Sequence, residues 1–149
     1  MLDHAAIAAR IPHQGSMCLL VAALEWSETT IACRAVSHRD AANPLRAGGR
    51  LGAANGIEYA AQAMALHGSL LASAGEAPRQ GYLTSVRGVS LHVARLDDLP
   101  GDLLVRAERL SGDGNHILYQ FALEHEGRCL LEGRAAVVLD AASLSKENP

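Results

Sequence analysis

The stretch LGAANGIEYAAQAMALHGSLLAS, residues 51–73, decides the fold. Ala, Leu, Met, Glu and Gln dominate it, and these are good helix formers. Ile57, Ala61, Met64, Gly68 and Leu71 recur at helical spacing and define one apolar face. The remaining faces are nearly as apolar, so the spacing predicts a long helix from Leu51 to Ser73 that is buried on most sides. Asn55, Glu58, Gln62 and His67 interrupt the apolar run, which argues against a membrane span. Glu58 is its only acid. The residues one turn away are Ala54, Ala61, Gln62 and Ala65. A carboxylate so placed sits in the core or in a cleft, and burial raises its pKa, as a general acid requires. The plain alternative is a helix-pairing glutamate, or a first-turn acid favoured by the helix dipole. Gln62, one turn on, is within hydrogen-bonding reach of it.

Outward from this helix the pattern changes to strands. Residues 1–16 read as a short helical lead-in that ends at Ile11-Pro12-His13-Gln14-Gly15. Met17 to Trp26 and Thr29 to Ser37 read as paired strands, and His38 to Gly49 as a polar loop. After a turn at Gly75 to Pro78 comes a long strand, Gly81 to Leu96, bulged near Gly88. Three more alternating segments follow, separated by turns at Gly112–Asn115 and Glu126–Gly127. The order is two strands, one helix, then four strands in a meander. That order implies an α+β fold with an antiparallel sheet rather than a βαβ array. One long central helix wrapped by a curved antiparallel sheet is the hot-dog arrangement. We expect one domain over residues 1–140, a loose tail over 141–149, and dimerisation to cover sheet edges.

Composition narrows the function classes. Apolar residues make up 49% of the 149 and aromatics 3%, so the core must be built from Ala, Leu, Val and Ile. The net charge of −3, with no basic stripe, disfavours nucleic acid. Cys18, Cys33 and Cys129 form no Cys-x-x-Cys pair, so neither a zinc ribbon nor a disulfide framework is expected. No signal-peptide pattern opens the chain, and a reducing cytoplasm is the expected compartment. No histidine pair has metal-ligand spacing with a third ligand near it, so no metal is predicted.

Three segments carry a family resemblance. IPHQGSMCLL (residues 11–20) resembles the "PHR-x-P-F-L-L-V-D" opening of dehydratases that act on 3-hydroxyacyl chains bound to acyl carrier protein. IEYAAQ (57–62) resembles their "E-A-M-A-Q" helix, and PGDLL (100–104) their "PGD-x-L" turn. The resemblance spans nearly the whole chain. It is closest to the dehydratases of aryl polyene pigment clusters, whose pattern is similar to SHRD, NPL and GIEYAAQAMA at residues 37–40, 43–45 and 56–65.

The resemblance implies loss of water from a 3-hydroxyacyl thioester to give an enoyl thioester, with Glu58 as the acid that protonates the leaving hydroxyl. It implies no cofactor, and a carrier protein with a phosphopantetheine-linked substrate as partner. It implies a homodimer or a dimer of dimers, with another hot-dog subunit as a further option. The family's base is a histidine in "G-H-F-P", about fourteen residues before the acid. Here that place is held by Asn43-Pro44-Leu45. Removing the C2 proton favours a group that titrates near neutrality, so His38 is the preferred base. Asn43 is the alternative, in an enzyme that works differently. His13 is read as a loop residue that holds the chain before the first strand, with pocket lining as its other option. Backbone amides at the helix start, Gly52 and Ala53, are candidates to polarise the thioester carbonyl. The rival functions are a hot-dog acyl thioesterase and a non-catalytic acyl-binding or assembly subunit.

Overall fold

A computed structural model describes residues 1–72, 81–113 and 115–139. The central helix, α2 (Gly56–Leu71), is reached through a single 3-10 turn, Ala53–Asn55. Ahead of it come β1 (Leu2–Asp3), α1 (His4–Ala8), β2 (Leu20–Trp26) and β3 (Thr30–Ala35); after it, β4 (Gly81–Leu91), β5 (Leu103–Gly112), β6 (His116–His125) and β7 (Arg128–Leu139). All strand pairs are antiparallel, in the order β1-β2-β3-β5-β6-β7-β4. This is the α+β hot-dog architecture: α2 packs on the inner face of the sheet and touches β2 through β6.

Alternation along the strands builds the core. Leu103, Val105 and Ala107 on β5, Ile117, Tyr119, Phe121 and Leu123 on β6, and Leu131 and Ala135 on β7 face inward and are buried. They meet Tyr59, Ala60, Ala63, Met64 and Leu66 of α2. Small residues let the layers approach closely. A methyl group added to Gly56 would come 2.7 Å from Leu131 Cδ2 and 3.1 Å from Leu123 Cδ2.

The helix begins later than the spacing predicts. Residues 51–52 are extended and pinned by the chain after β4: Leu51 donates to Asp97 Oδ1 at 2.8 Å, and Leu96 donates to Leu51 O at 2.8 Å. The same contacts end β4 at Leu91 instead of Leu96, because residues 92–99 leave the sheet to grip the helix entry. The bulge expected near Gly88 is present, with φ +60° and a register shift between Arg87 and Ser90. The two-residue β1, paired with β2, had no sequence signal. Ser73, the turn at Gly75–Pro78 and the tail over 141–149 lie outside the described residues. No helix among the described residues is long and apolar enough to cross a membrane.

Candidate active site

Glu58 is the third residue of α2. The segment between α1 and β2 is folded against it. Ile11 is buried, Gln14 Nε2 donates to Ala8 O at 3.0 Å, and Gly15 turns the chain with φ +59°. Gln62, fully buried, stitches this segment to the helix. Its Nε2 donates to Met17 O at 2.7 Å, and its Oε1 accepts from Leu19 N at 2.9 Å. The result presents His13 to the carboxylate, with Nε2 3.1 Å from Glu58 Oε1. Gln62 Nε2 reaches the same oxygen at a longer 3.4 Å.

Two partners thus serve one carboxylate, and they set its charge. The hydrogen bond from His13 holds the Glu58 carboxyl below its ordinary value; burial opposes this, and Gln62 assists. The expected rise from burial is therefore reversed, because donors directed at the charged form outweigh partial desolvation. Glu58 is ionised at neutral pH. His13 Nδ1 is buried and has no hydrogen-bond partner among the described residues. The pair opens into a cavity of about 260 Å³, lined also by Pro12, Ala61, Ala65, Tyr82 and Leu83. The cavity lies between α2, the His13 segment and β4, the last strand of the sheet.

The other predicted residues are elsewhere. His38 sits in a 3-10 turn, Ser37–Arg39, and is fully buried. Its Nε2 donates to Leu99 O at 3.1 Å, and burial pushes its pKa down, so the ring is neutral. It does not line the Glu58 cavity. Within this chain the turn that follows β3 aims the His38 Nε2 at the 99–101 segment, while its Nδ1 is buried with no hydrogen-bond partner among the described residues. Asn43 is fully committed. Its Nδ2 donates to Ser37 O at 2.9 Å and Tyr59 Oη at 3.1 Å, while its Oδ1 accepts from Leu45 N at 2.9 Å. Tyr59 Oη bonds Ser37 Oγ at 2.8 Å, so Asn43 braces a buried loop and has no donor left for a substrate. Ala53 is removed as an oxyanion donor, since its amide already bonds Ala94 O at 3.1 Å. Gly52 O accepts from Asn55 N at 3.0 Å and Asn55 Nδ2 at 3.1 Å, which closes the turn.

Sequence reasoning passed over one part of this site: Tyr82 and Leu83 come from β4, and no motif marks them. The sequence offers His13 as pocket lining only behind a loop role; the Gln62 bonds to Met17 and Leu19 tie its segment to the helix. Among the described residues, one grouping of His, Cys, Asp or Glu is close enough to share an ion: His92, Cys129 and Glu132, outside this cavity.

A family model described as ApeP-like, ApeP dehydratase, matches residues 5–146. No curated protein matches the chain. Among solved structures, a chain of the dehydratase heterocomplex ApeI:P from Xenorhabdus doucetiae is similar, with a TM-score of 0.85 and 21% identity over 100% of this chain and 99% of that one. A thioesterase variant from Pseudomonas aeruginosa has a TM-score of 0.61 and 12% identity over 93% and 96%. A thioesterase from Haemophilus influenzae has a TM-score of 0.53 and 17% identity over 78% and 77%. At these identities, the structural likenesses show the shared fold.

Proposed function

The chain belongs to the ApeP-like dehydratase family, and from that premise we propose that it removes water from a 3-hydroxyacyl thioester carried on acyl carrier protein, with Glu58 and His13 as its proton-handling pair. The observation that carries this reading is the 3.1 Å contact between His13 Nε2 and Glu58 Oε1 at the wall of a cavity. The roles shift from those expected of the sequence. His13 replaces His38 as the histidine of the pair, and Glu58 begins the cycle ionised.

The thioester carbonyl makes the C2 hydrogens acidic. The Glu58 carboxylate takes one of them as the enolate forms. The C3–oxygen bond then breaks, and the proton on Glu58 passes to the departing oxygen. The products are an enoyl thioester and one water, with no net proton taken up and no change that calls for a redox cofactor. His13 Nε2–H keeps the carboxylate oriented through both transfers. An acyl chain filling the cavity strips water from Glu58, which raises its pKa and strengthens it as a base. Tyr82 and Leu83 place the end strand at the cavity wall, so a partner on β4 would extend that wall. The partner is a second copy or another hot-dog subunit. The similar Xenorhabdus chain comes from a heterocomplex.

An ionised Glu58 also suits activation of water for thioester hydrolysis, the activity named for two of the similar structures. One assay separates the readings. A 3-hydroxyacyl thioester on carrier protein is offered to the purified chain, alone and with any hot-dog subunit that copurifies with it, and both enoyl product and free thiol are measured. Enoyl formation is expected, and Glu58→Gln should lower it by roughly 10²-fold or more. Free thiol without enoyl product would identify a thioesterase. No turnover of any kind, with Glu58→Gln binding acyl carrier protein as well as wild type, would identify a non-catalytic subunit.

A further inference from the structure

A second cluster of reactive side chains lies on the far side of the sheet. His92 is the first residue beyond β4; Cys129 and Glu132 lie on β7. His92 Nε2, Cys129 Sγ and a Glu132 carboxylate oxygen all lie within 4.8 Å of one another. His92 Nε2 is 3.0 Å from Glu132 Oε2, and the Cys129 thiol donates to the same oxygen at 3.4 Å. Leu131, beside Glu132, packs inward toward Gly56 of α2, so Glu132 projects from the outer face.

The backbone is arranged to bring these groups together. Residues three apart on a regular strand point to opposite faces, which would separate Cys129 from Glu132. Here the β6–β7 register shifts: Leu123 pairs with Leu131 and Glu124 with Cys129, leaving Leu130 as an extra residue. Leu130 and Leu131 are both fully buried. This bulge re-aims Cys129 onto the face of Glu132. His92 is held from both sides, since its amide donates to Leu130 O at 2.8 Å and its carbonyl accepts from Arg128 Nη2 at 3.3 Å.

We propose that His92, Cys129 and Glu132 form a binding site for a divalent ion of the zinc class, clipping the end of β4 to β7, with a fourth position open to water. One imidazole nitrogen, one thiolate and one carboxylate form a donor set that selects zinc over magnesium or calcium. Metal–ligand lengths of roughly 2.0–2.3 Å put tetrahedral ligand atoms roughly 3.3–3.8 Å apart. Two of the three separations, 3.0 and 3.4 Å, need only small side-chain adjustments; the third, His92 to Cys129, lies within 4.8 Å and closes to this range on binding. The side chains of His92 and Glu132 are 42% and 45% exposed, which leaves an outward direction for a water ligand. On binding, the thiol proton leaves to solvent and bonds form from sulfur, nitrogen and oxygen to the ion. No electron is transferred.

The test uses the full chain, kept reduced, stripped of metal and titrated with Co²⁺ and then Zn²⁺. One equivalent of Co²⁺ should bind and give a thiolate-to-cobalt charge-transfer band that Zn²⁺ abolishes by displacement. Cys129→Ser should remove the band, and His92→Gln and Glu132→Gln should each weaken uptake about tenfold or more. Zn²⁺ should raise the Tm of wild type but not of Cys129→Ser, whose metal-free melt shows whether that variant is folded. Absence of the band in wild type, or its persistence in Cys129→Ser, overturns the proposal. His92→Gln should keep the activity of metal-free wild type, because none of the three groups lines the Glu58 cavity.

Discussion

At the scale of the residue, the carboxylate is governed by its partners more than by its burial. Glu58 keeps a lowered pKa because His13, and then Gln62, donate to it against a desolvation that pulls the other way. Removing His13 leaves the burial in place and takes away the largest opposing cause. In His13→Ala the acidic limb of kcat/KM should therefore move to higher pH, as read from a pH–rate profile; an unmoved limb would mean that Glu58 is not the group titrating. The same linkage has a sign for stability. A carboxyl whose folded pKa is depressed adds stability above its ordinary value near 4.5, and this is lost as pH falls through the lowered value. Wild type should thus exceed His13→Ala in denaturant stability at neutral pH, and the gap should close in acid. Glu58 was legible as the lone acid of an apolar helix. The direction of its pKa was not, because it depends on a histidine 45 positions earlier.

At the scale of the element, α2 is held at its start by polar stitches and close contacts. Gln62 satisfies the buried amide of Leu19 and the carbonyl of Met17. Gln62→Leu should cost about 1–3 kcal/mol in chemical denaturation, the penalty for a buried donor left without a partner. It should also lower activity by loosening the segment that carries His13. Gly56 sits where α2 approaches β6 and β7, and an added side chain meets Leu131 and Leu123. Gly56→Val should cost about 1–3 kcal/mol through overpacking, measured as a lower midpoint with an unchanged m-value. Helix and strand types were readable from periodicity. Their ends were not: residues 92–96 resemble more of β4, yet Leu96, with Asp97 just beyond it, holds the helix entry.

At the scale of the whole molecule, the strand that walls the site is also an edge of the sheet. β4 pairs only with β7 among the described residues, and Tyr82, Leu83 and Leu91 on it are large, apolar and exposed. Unpaired apolar edges are surfaces that proteins cover. Tyr82 and Leu83 also wall the Glu58 cavity. Specific activity should therefore fall on dilution, in parallel with dissociation of a homodimer or a mixed complex followed by sedimentation. Constant specific activity across the dissociation range would show that one chain suffices.

The α+β class, the single long helix and Glu58 on it follow from local patterns: helical spacing, period-2 alternation, and one charge in an apolar run. These signals survive because each depends on residues a few positions apart. The partner of Glu58, the direction of the His38 ring, the commitment of Asn43 to loop bracing, and the meeting of His92 with Cys129 and Glu132 were decided only by tertiary structure. Each depends on which distant segment is laid beside which, and on a bulge or a turn that redirects one side chain. A one-residue shift in strand register moves a side chain to the other face of the sheet, so proximity between distant residues cannot be read from their spacing.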